Sequence, residues 1–260
     1  MFHVRWDEWR ALDSHSRHAI VQEAQNWLET KEGAEGGEQT AAFALLGHKG
    51  DVMLLHYRRD FLGLLEAQQQ VEQLRISEFL ESTTSYLSVV ELGLYESTRK
   101  IFDELDARGL QQGTDEWDKA VAEQLERQKK AMAVRLWPEI PESRYICFYP
   151  MDRRRGEDKN WYQVPFAERQ RMMHEHGLIG RRYGGVVRQV ISGSIGLDDW
   201  EWGVDLFAEA PESFKQLIYE MRFDEVSAVY AQFGTFYVGL RVPSEGFGHF
   251  MRGEPRSAVE

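Results

Sequence analysis

The chain of 260 residues contains a single cysteine, Cys147. One thiol forms no intramolecular disulfide and no cysteine-rich metal centre, and it fits a reducing compartment. Long apolar runs are missing as well. Stretches such as Ala41 to Leu46 fall far short of the ~20 apolar residues that a membrane-spanning helix needs. Positive charge is in deficit: 31 Lys and Arg stand against 43 Asp and Glu, a formal net charge of -12. That balance argues against nucleic acid, whose capture rests on clustered positive surface, and leaves room for a local basic pocket. The opening residues Met1-Phe2-His3-Val4-Arg5-Trp6-Asp7 place charges where a secretory signal has its apolar stretch. The expectation is a cytoplasmic protein with neither a membrane nor a nucleic-acid partner. What is present is enough chain for one large domain or two small ones with a sizeable core.

Apolar periodicity predicts a repeat. Residues 2–12 read as an aromatic-rich strand. A helix capped by Ser14 or Ser16 follows, with Ile20, Val21, Ala24, Trp27 and Leu28 on one face. Residues 31–40 read as a loop. Thr40 to Leu46 and Val52 to Tyr57 are strands around Gly47-His48-Lys49-Gly50. Asp60 caps a second helix, and Tyr86 to Tyr95 forms a further strand. The second half repeats this β-α-β-β-α-β order. It runs through a strand Tyr145 to Met151, a helix over 164–178 with Pro165 in its first turn, and strands Val186 to Ile191 and Trp200 to Phe207. A helix opened by Pro211 and a strand Thr235 to Arg241 complete it. The fold class expected is α+β, with tandem ferredoxin-like repeats forming a dimeric α+β barrel-type subunit. The segments are 1–100, connecting helices at 101–137, a ligand-binding half at 138–250, and a mobile tail at 251–260.

Several residues interrupt the apolar pattern. His176 lies three and four residues after Met173 and Met172, hence on the inward side of its helix, which is expected to stop at Gly177. His174 points to the opposite side, so the two cannot share a metal. One histidine suffices for haem, because the porphyrin supplies four nitrogens; the plainer reading is a core histidine bonded to a backbone carbonyl. Gln189 sits between Val187 and Ile191 on one strand face, either touching a ligand or lying at a sheet edge. Tyr145 and Tyr149 share a face of their strand, and periodicity does not choose between an oxidisable phenol and an aromatic packing residue. Arg153-Arg154-Arg155 follows the strand directly; it reads as carboxylate capture at a barrel mouth or as a solvated loop. The glycine-rich Ser192 to Gly196 joins two strands and precedes no helix, so it is not a phosphate loop.

Taken together, Tyr149-Pro150-Met151-Asp152-Arg153-Arg154, Asn160-Trp161-Tyr162, Glu168-Arg169, Glu175-His176-Gly177, Gly196-Leu197-Asp198-Asp199 and Glu201-Trp202-Gly203-Val204 resemble the chlorite-dismutase-like haem proteins. Within them the similarity is to the coproheme decarboxylases of the Gram-positive haem pathway. It covers about residues 130–245 most strongly. The resemblance implies an α+β barrel, a homopentameric ring, and iron-coproporphyrin III as both substrate and redox centre. Hydrogen peroxide would drive loss of carbon dioxide from two propionates, giving haem b as the last step of haem biosynthesis, with a ferrochelatase as a further partner. It implies His176 as the proximal iron ligand and Tyr149 as the radical-forming catalytic residue. Arg135, Tyr149, Pro150, Met151, Asp152, Arg153, Gln189 and Ser227 would contact the porphyrin. Arg153 departs from the lysine that the family often has there. Gln189 departs from the distal arginine of true chlorite dismutases, which puts chlorite dismutation second. A haem carrier or sensor without turnover would also use His176 and the basic run, and an iron-free ligand-binding barrel would need neither.

Overall fold

The computed structural model describes residues 1–33, 37–90 and 104–253, and the backbone alone for 128–135. The elements run β1 (Phe2–Val4), α1 (Trp6–Ala11), α2 (Ser14–Glu32), β2 (Gln39–Leu45), β3 (Val52–Tyr57), α3 (Phe61–Gln73), β4 (Leu80–Ser82), β5 (Val89–Val90), α4 (Asp115–Leu136) and β6 (Tyr145–Arg153). Then come α5 (Phe166–Arg182), β7 (Arg188–Gly193), β8 (Trp202–Ala208), α6 (Glu212–Met221), β9 (Ala231–Phe233), β10 (Tyr237–Val242) and α7 (Ser244–Arg252). No helix among the described residues is long and apolar enough to cross a membrane.

The expected strand over 2–12 breaks after Val4. Trp6 and Trp9 recur at helical spacing, Trp9 is buried against Phe79, and Arg5 pairs with Glu8 one turn on. Asp13, not Ser14 or Ser16, caps α2 by accepting from the His15 and Ser16 amides, whereas Asp60 caps α3 as expected. The helix over 164–178 starts one residue beyond Pro165, which is its N-cap, and runs through Gly177 to Arg182. β4, β9 and α7 are additional to the elements expected from periodicity, and of Tyr86 to Tyr95 only Val89–Val90 is strand among the described residues. The expected mobile tail lies mostly outside the described residues; before it α7 continues to Arg252 and closes on Gly253 in the left-handed conformation, φ 69°.

The sheet follows the order β4-β1-β3-β2-β10-β6-β8-β7-β5, with β9 added beside β6. Strands β1 to β4 lie in the lateral order fourth, first, third, second, and β6, β7, β8 and β10 repeat it. The antiparallel pair β2 and β10 joins the two sets, from Leu45 opposite Gly239 to Ala42 opposite Val242.

This sheet cannot be flat. Nine strands laid side by side span about 38 Å. Yet the two end strands β4 and β5 are joined by residues 83–88, a link that reaches at most about 25 Å. The sheet therefore curls. Tyr57 of β3 and Asp205 of β8, about 19 Å apart on a flat sheet, meet at 3.4 Å. Phe43 of β2 and Phe207 of β8 meet at 6.4 Å between ring centroids.

Curling gives the sheet an inside and an outside. On β6, Ile146 and Phe148 face inward with Phe43, Met53 and Phe207. Cys147 and Tyr149 face outward, under Phe214, Leu217 and Met221 of α6. α2 and α7 cover the outside of the other half through Ile20, Val21, Leu28, Phe247 and Met251. Burial pushes the Cys147 thiol up to about 12, so it stays protonated and inert.

Asp205 is the carboxyl enclosed by the curl. Burial pushes it up to about 7, opposed by the hydrogen bond from Tyr57. A carboxyl whose folded value exceeds its unfolded one costs stability increasingly as pH climbs from the unfolded value to the folded one. Asp205→Asn is expected to raise the melting temperature relative to the parent above about pH 7.5, with the gain shrinking toward pH 5. A gain independent of pH in thermal scans would show that ionisation is not the cause.

Candidate functional site

The outer face of β6 carries Tyr145, Cys147, Tyr149, Met151 and Arg153, because alternate residues of a strand share a face. The Tyr149 ring stacks on Phe236 at 4.6 Å and leans on Phe233 at 5.7 Å. Burial pushes its phenol well above its ordinary value, while Arg222 and Arg153 draw it back. Arg222 lies 4.4 Å over the Phe233 ring. Pro150 and Asp152 turn the other way. Pro150 packs against Gly234, and Asp152 accepts from the Glu201 amide at 2.8 Å. Tyr149, Met151 and Arg153 are thus brought together, and the side chains of Pro150 and Asp152 are not.

Opposite this face stands α5. Met172 is buried, Met173 and His176 are half-buried, and His174 is exposed, as the helical phase requires. His176 Nδ1 is 2.9 Å from Asp224 Oδ2. The carboxylate only accepts, so Nδ1 carries the proton and the lone pair resides on Nε2. Asp224 also accepts from the Ser227 amide at 2.8 Å and the Ser227 hydroxyl at 3.1 Å. Burial raises the Asp224 carboxyl, but the bonds from His176 and Ser227 outweigh it and hold the group below its usual range. Ser227 Oγ lies 3.4 Å from His176 Nδ1. Asp224 and Glu201 were not singled out from sequence. The spacing Asp224-Glu225-Val226-Ser227, a cap-like bond from residue four to residue one, was the available signal for Asp224.

Gln189 faces α5: its Nε2 stands 3.6 Å from where a Gly180 Cβ would be. Its row across the sheet is Gln189, Leu206, Cys147; the next row is Ile191, Val204, Tyr149. In this wedge between sheet and helix Ile191 is 45 % exposed, while Tyr149 is buried. Arg135 belongs to α4, and its side chain lies outside the described residues.

Arg153 differs from the expected basic mouth. It is buried, between Trp161 at 5.2 Å and Trp202 at 5.8 Å, and donates to Met173 Sδ at 3.6 Å. Its amide donates to Glu201 at 2.8 Å, and the other Glu201 oxygen lies 3.5 Å from Arg155 Nε. Arg154 and Arg155 are the exposed members of the run. The aromatic clamp and the buried Glu201 hold the strand end in place; the sequence alone showed three like charges.

Among the described residues no three His, Cys, Asp or Glu side chains converge to hold a metal. A metal on His176 Nε2 therefore needs its remaining ligands from a bound group. A porphyrin supplies four nitrogens in a plane, and the donor set fits it: one imidazole, oriented by a carboxylate.

The family model described as Chlorite dismutase matches residues 17–242. A protein of Haloquadratum walsbyi provisionally named as heme-binding is 40% identical over 259 residues, 99% of this chain and 46% of that protein. One of Natronomonas pharaonis, named likewise, is 37% identical over 97% of this chain and 40% of its own length. The chain thus spans about half the length of these relatives. The structure of a heme-binding protein from Thermus thermophilus superposes with a TM-score of 0.80 at 37% identity, covering 96% of this chain and 92% of that one. Chlorite dismutase from Candidatus Nitrospira defluvii shares the fold, with a TM-score of 0.70 at 18% identity over 97% and 92%.

His176→Ala is expected to abolish the histidine-ligated absorption spectrum of haem added to the protein, and His174→Ala to leave it unchanged. Asp224→Asn should weaken haem binding by about 10–100-fold, the usual effect of removing a carboxylate behind a ligating histidine. Titrations followed by absorbance read both; an unchanged affinity would mean that Asp224 does not act through the imidazole.

Proposed function

This chain belongs to the chlorite dismutase family, and we propose that it is a peroxide-dependent decarboxylase of iron-coproporphyrin III that forms haem b. The observation that carries this reading is Tyr149. Its phenol is buried on the sheet face opposite His176, and its ring stacks on Phe236 and leans on Phe233. Burial holds this phenol in its protonated form, so oxidation removes a hydrogen atom from it and leaves a neutral radical that a low-dielectric setting tolerates.

A bound iron porphyrin would supply the redox chemistry, with peroxide as the oxidant. The chain supplies the rest. His176 offers Nε2, and Asp224 fixes the imidazole through Nδ1 and increases its basicity. Ser227 keeps Asp224 in place. Gln189 borders the same wedge without charge, so it gives no electrostatic hold on an oxyanion, which favours decarboxylation over chlorite chemistry. Tyr149 passes a hydrogen atom between oxidant and propionate. Met151 and Arg153 line its strand face, while Pro150 and Asp152 contribute backbone. The tandem ferredoxin-like repeat, a closed homopentameric ring, Arg135 as a propionate contact and a ferrochelatase as partner belong to the same proposal. A second reading, haem carriage without turnover, is favoured by the names of the relatives.

Tyr149→Phe decides between them. Phenylalanine keeps the stack on Phe236 and Phe233 but has no oxidisable hydroxyl. The variant is expected to bind iron-coproporphyrin III and to yield almost no haem b when peroxide is added in steps. Tyr145→Phe should stay active. Mass spectrometry of the extracted pigment reads the loss of carbon dioxide and hydrogen; a parent protein that leaves coproporphyrin intact would support carriage alone.

A further inference from the structure

The Arg153 guanidinium touches oxidisable side chains on three sides. Its central carbon stands 5.2 Å from the Trp161 ring and 5.8 Å from the Trp202 ring, and one of its nitrogens donates to Met173 Sδ at 3.6 Å. Arg153 is 8% exposed and Trp161 3%, so water screens this charge little. Met173 precedes His176 by three residues on α5, which places the group beside the proposed iron ligand.

We infer that Arg153 guards Trp161, Trp202 and Met173 against oxidation and so confines the oxidising equivalent to Tyr149. The inference rests on the peroxide chemistry proposed above. An indole that loses one electron is first a cation. A fixed guanidinium above the ring already engages its negative face and repels that cation. A thioether is oxidised through its sulfur lone pair, which here accepts the Arg153 N–H. A phenol behaves differently: it loses an electron and a proton together and ends neutral, so a nearby positive charge opposes it little. One charge thus opposes oxidation of three side chains and spares a fourth.

The electron balance is closed. Hydrogen peroxide takes up two electrons and two protons and becomes two waters. Each propionate gives two electrons, one proton and carbon dioxide and becomes a vinyl group. One electron and one proton of these pass through Tyr149 as a hydrogen atom, and solvent provides the remaining proton.

The test compares the parent with Arg153→Met, Arg153→Lys and Arg154→Met. All are loaded with iron-coproporphyrin III and given the same peroxide dose. Added oxygen is then mapped on the peptides holding Trp161, Trp202 and Met173. Arg153→Met, which keeps length and removes charge, should show at least about fivefold more oxidation of the two indoles. Arg153→Lys and Arg154→Met should stay near the parent. Equal oxidation in parent and Arg153→Met overturns the inference, and so does heavy oxidation in Arg153→Lys. Arg153→Gln replaces the methionine variant if the latter loses its near-ultraviolet circular dichroism. A second measurement needs neither porphyrin nor peroxide: flash photo-oxidation with a ruthenium dye, reading the ratio of tryptophan to tyrosine radicals. A higher ratio in Arg153→Met supports the guard even if the parent makes no haem b. An unchanged ratio overturns it even if haem b is made.

Discussion

Successive residues of β6 belong to different compartments, and the rest of the molecule is arranged around that alternation. Ile146 and Phe148 fill the inside of the curl, while Tyr145, Cys147, Tyr149, Met151 and Arg153 face the helices. A slip of one residue in register would move the phenol into the interior and put apolar rings under α5. Register is held by continuous pairing with β8, from Tyr145 opposite Ala208 to Met151 opposite Trp202. Beyond that run β9 takes over, with Arg153 opposite Ala231.

Polar groups at the site are held in the same way, by partners distant in sequence. Asp224 stands 48 residues from His176, and Glu201 stands 48 residues from Arg153. Each buried carboxylate satisfies several donors. This is what makes ionised oxygen tolerable in a low-dielectric setting. Arg153 shows the opposite case, a buried cation spread over two indole faces and a thioether.

How much of this was legible in the sequence follows from which interactions are local. The faces of β6 and α5 were legible, because periods of 2 and 3.6 residues depend on backbone geometry alone. His176 inward and His174 outward, and Tyr149 on one face with Tyr145, follow from that arithmetic. The capping by Asp60 was legible for the same reason. The Asp224 contact was not, because it depends on where α6 delivers the chain. The burial of Arg153 was hidden too: three consecutive arginines look solvated until Trp161 and Trp202 arrive from separate segments. β1 to α1 misled because aromatic residues favour strands, whereas the pairing of Trp9 with Phe79 is tertiary.

The joining pair β2 and β10 sets the order in which the molecule can become complete. Val242, Phe247 and Met251 lie in the same apolar cluster as Ile20, Val21 and Leu28, so the first long helix finds its full cover only when the final one has left the ribosome. Until then Val4, Trp9, Ala42, Val52, Ile76 and Phe79 give α2 only part of its cover. Contacts of such sequence separation form slowly, so the closing of this cluster is a late event in folding.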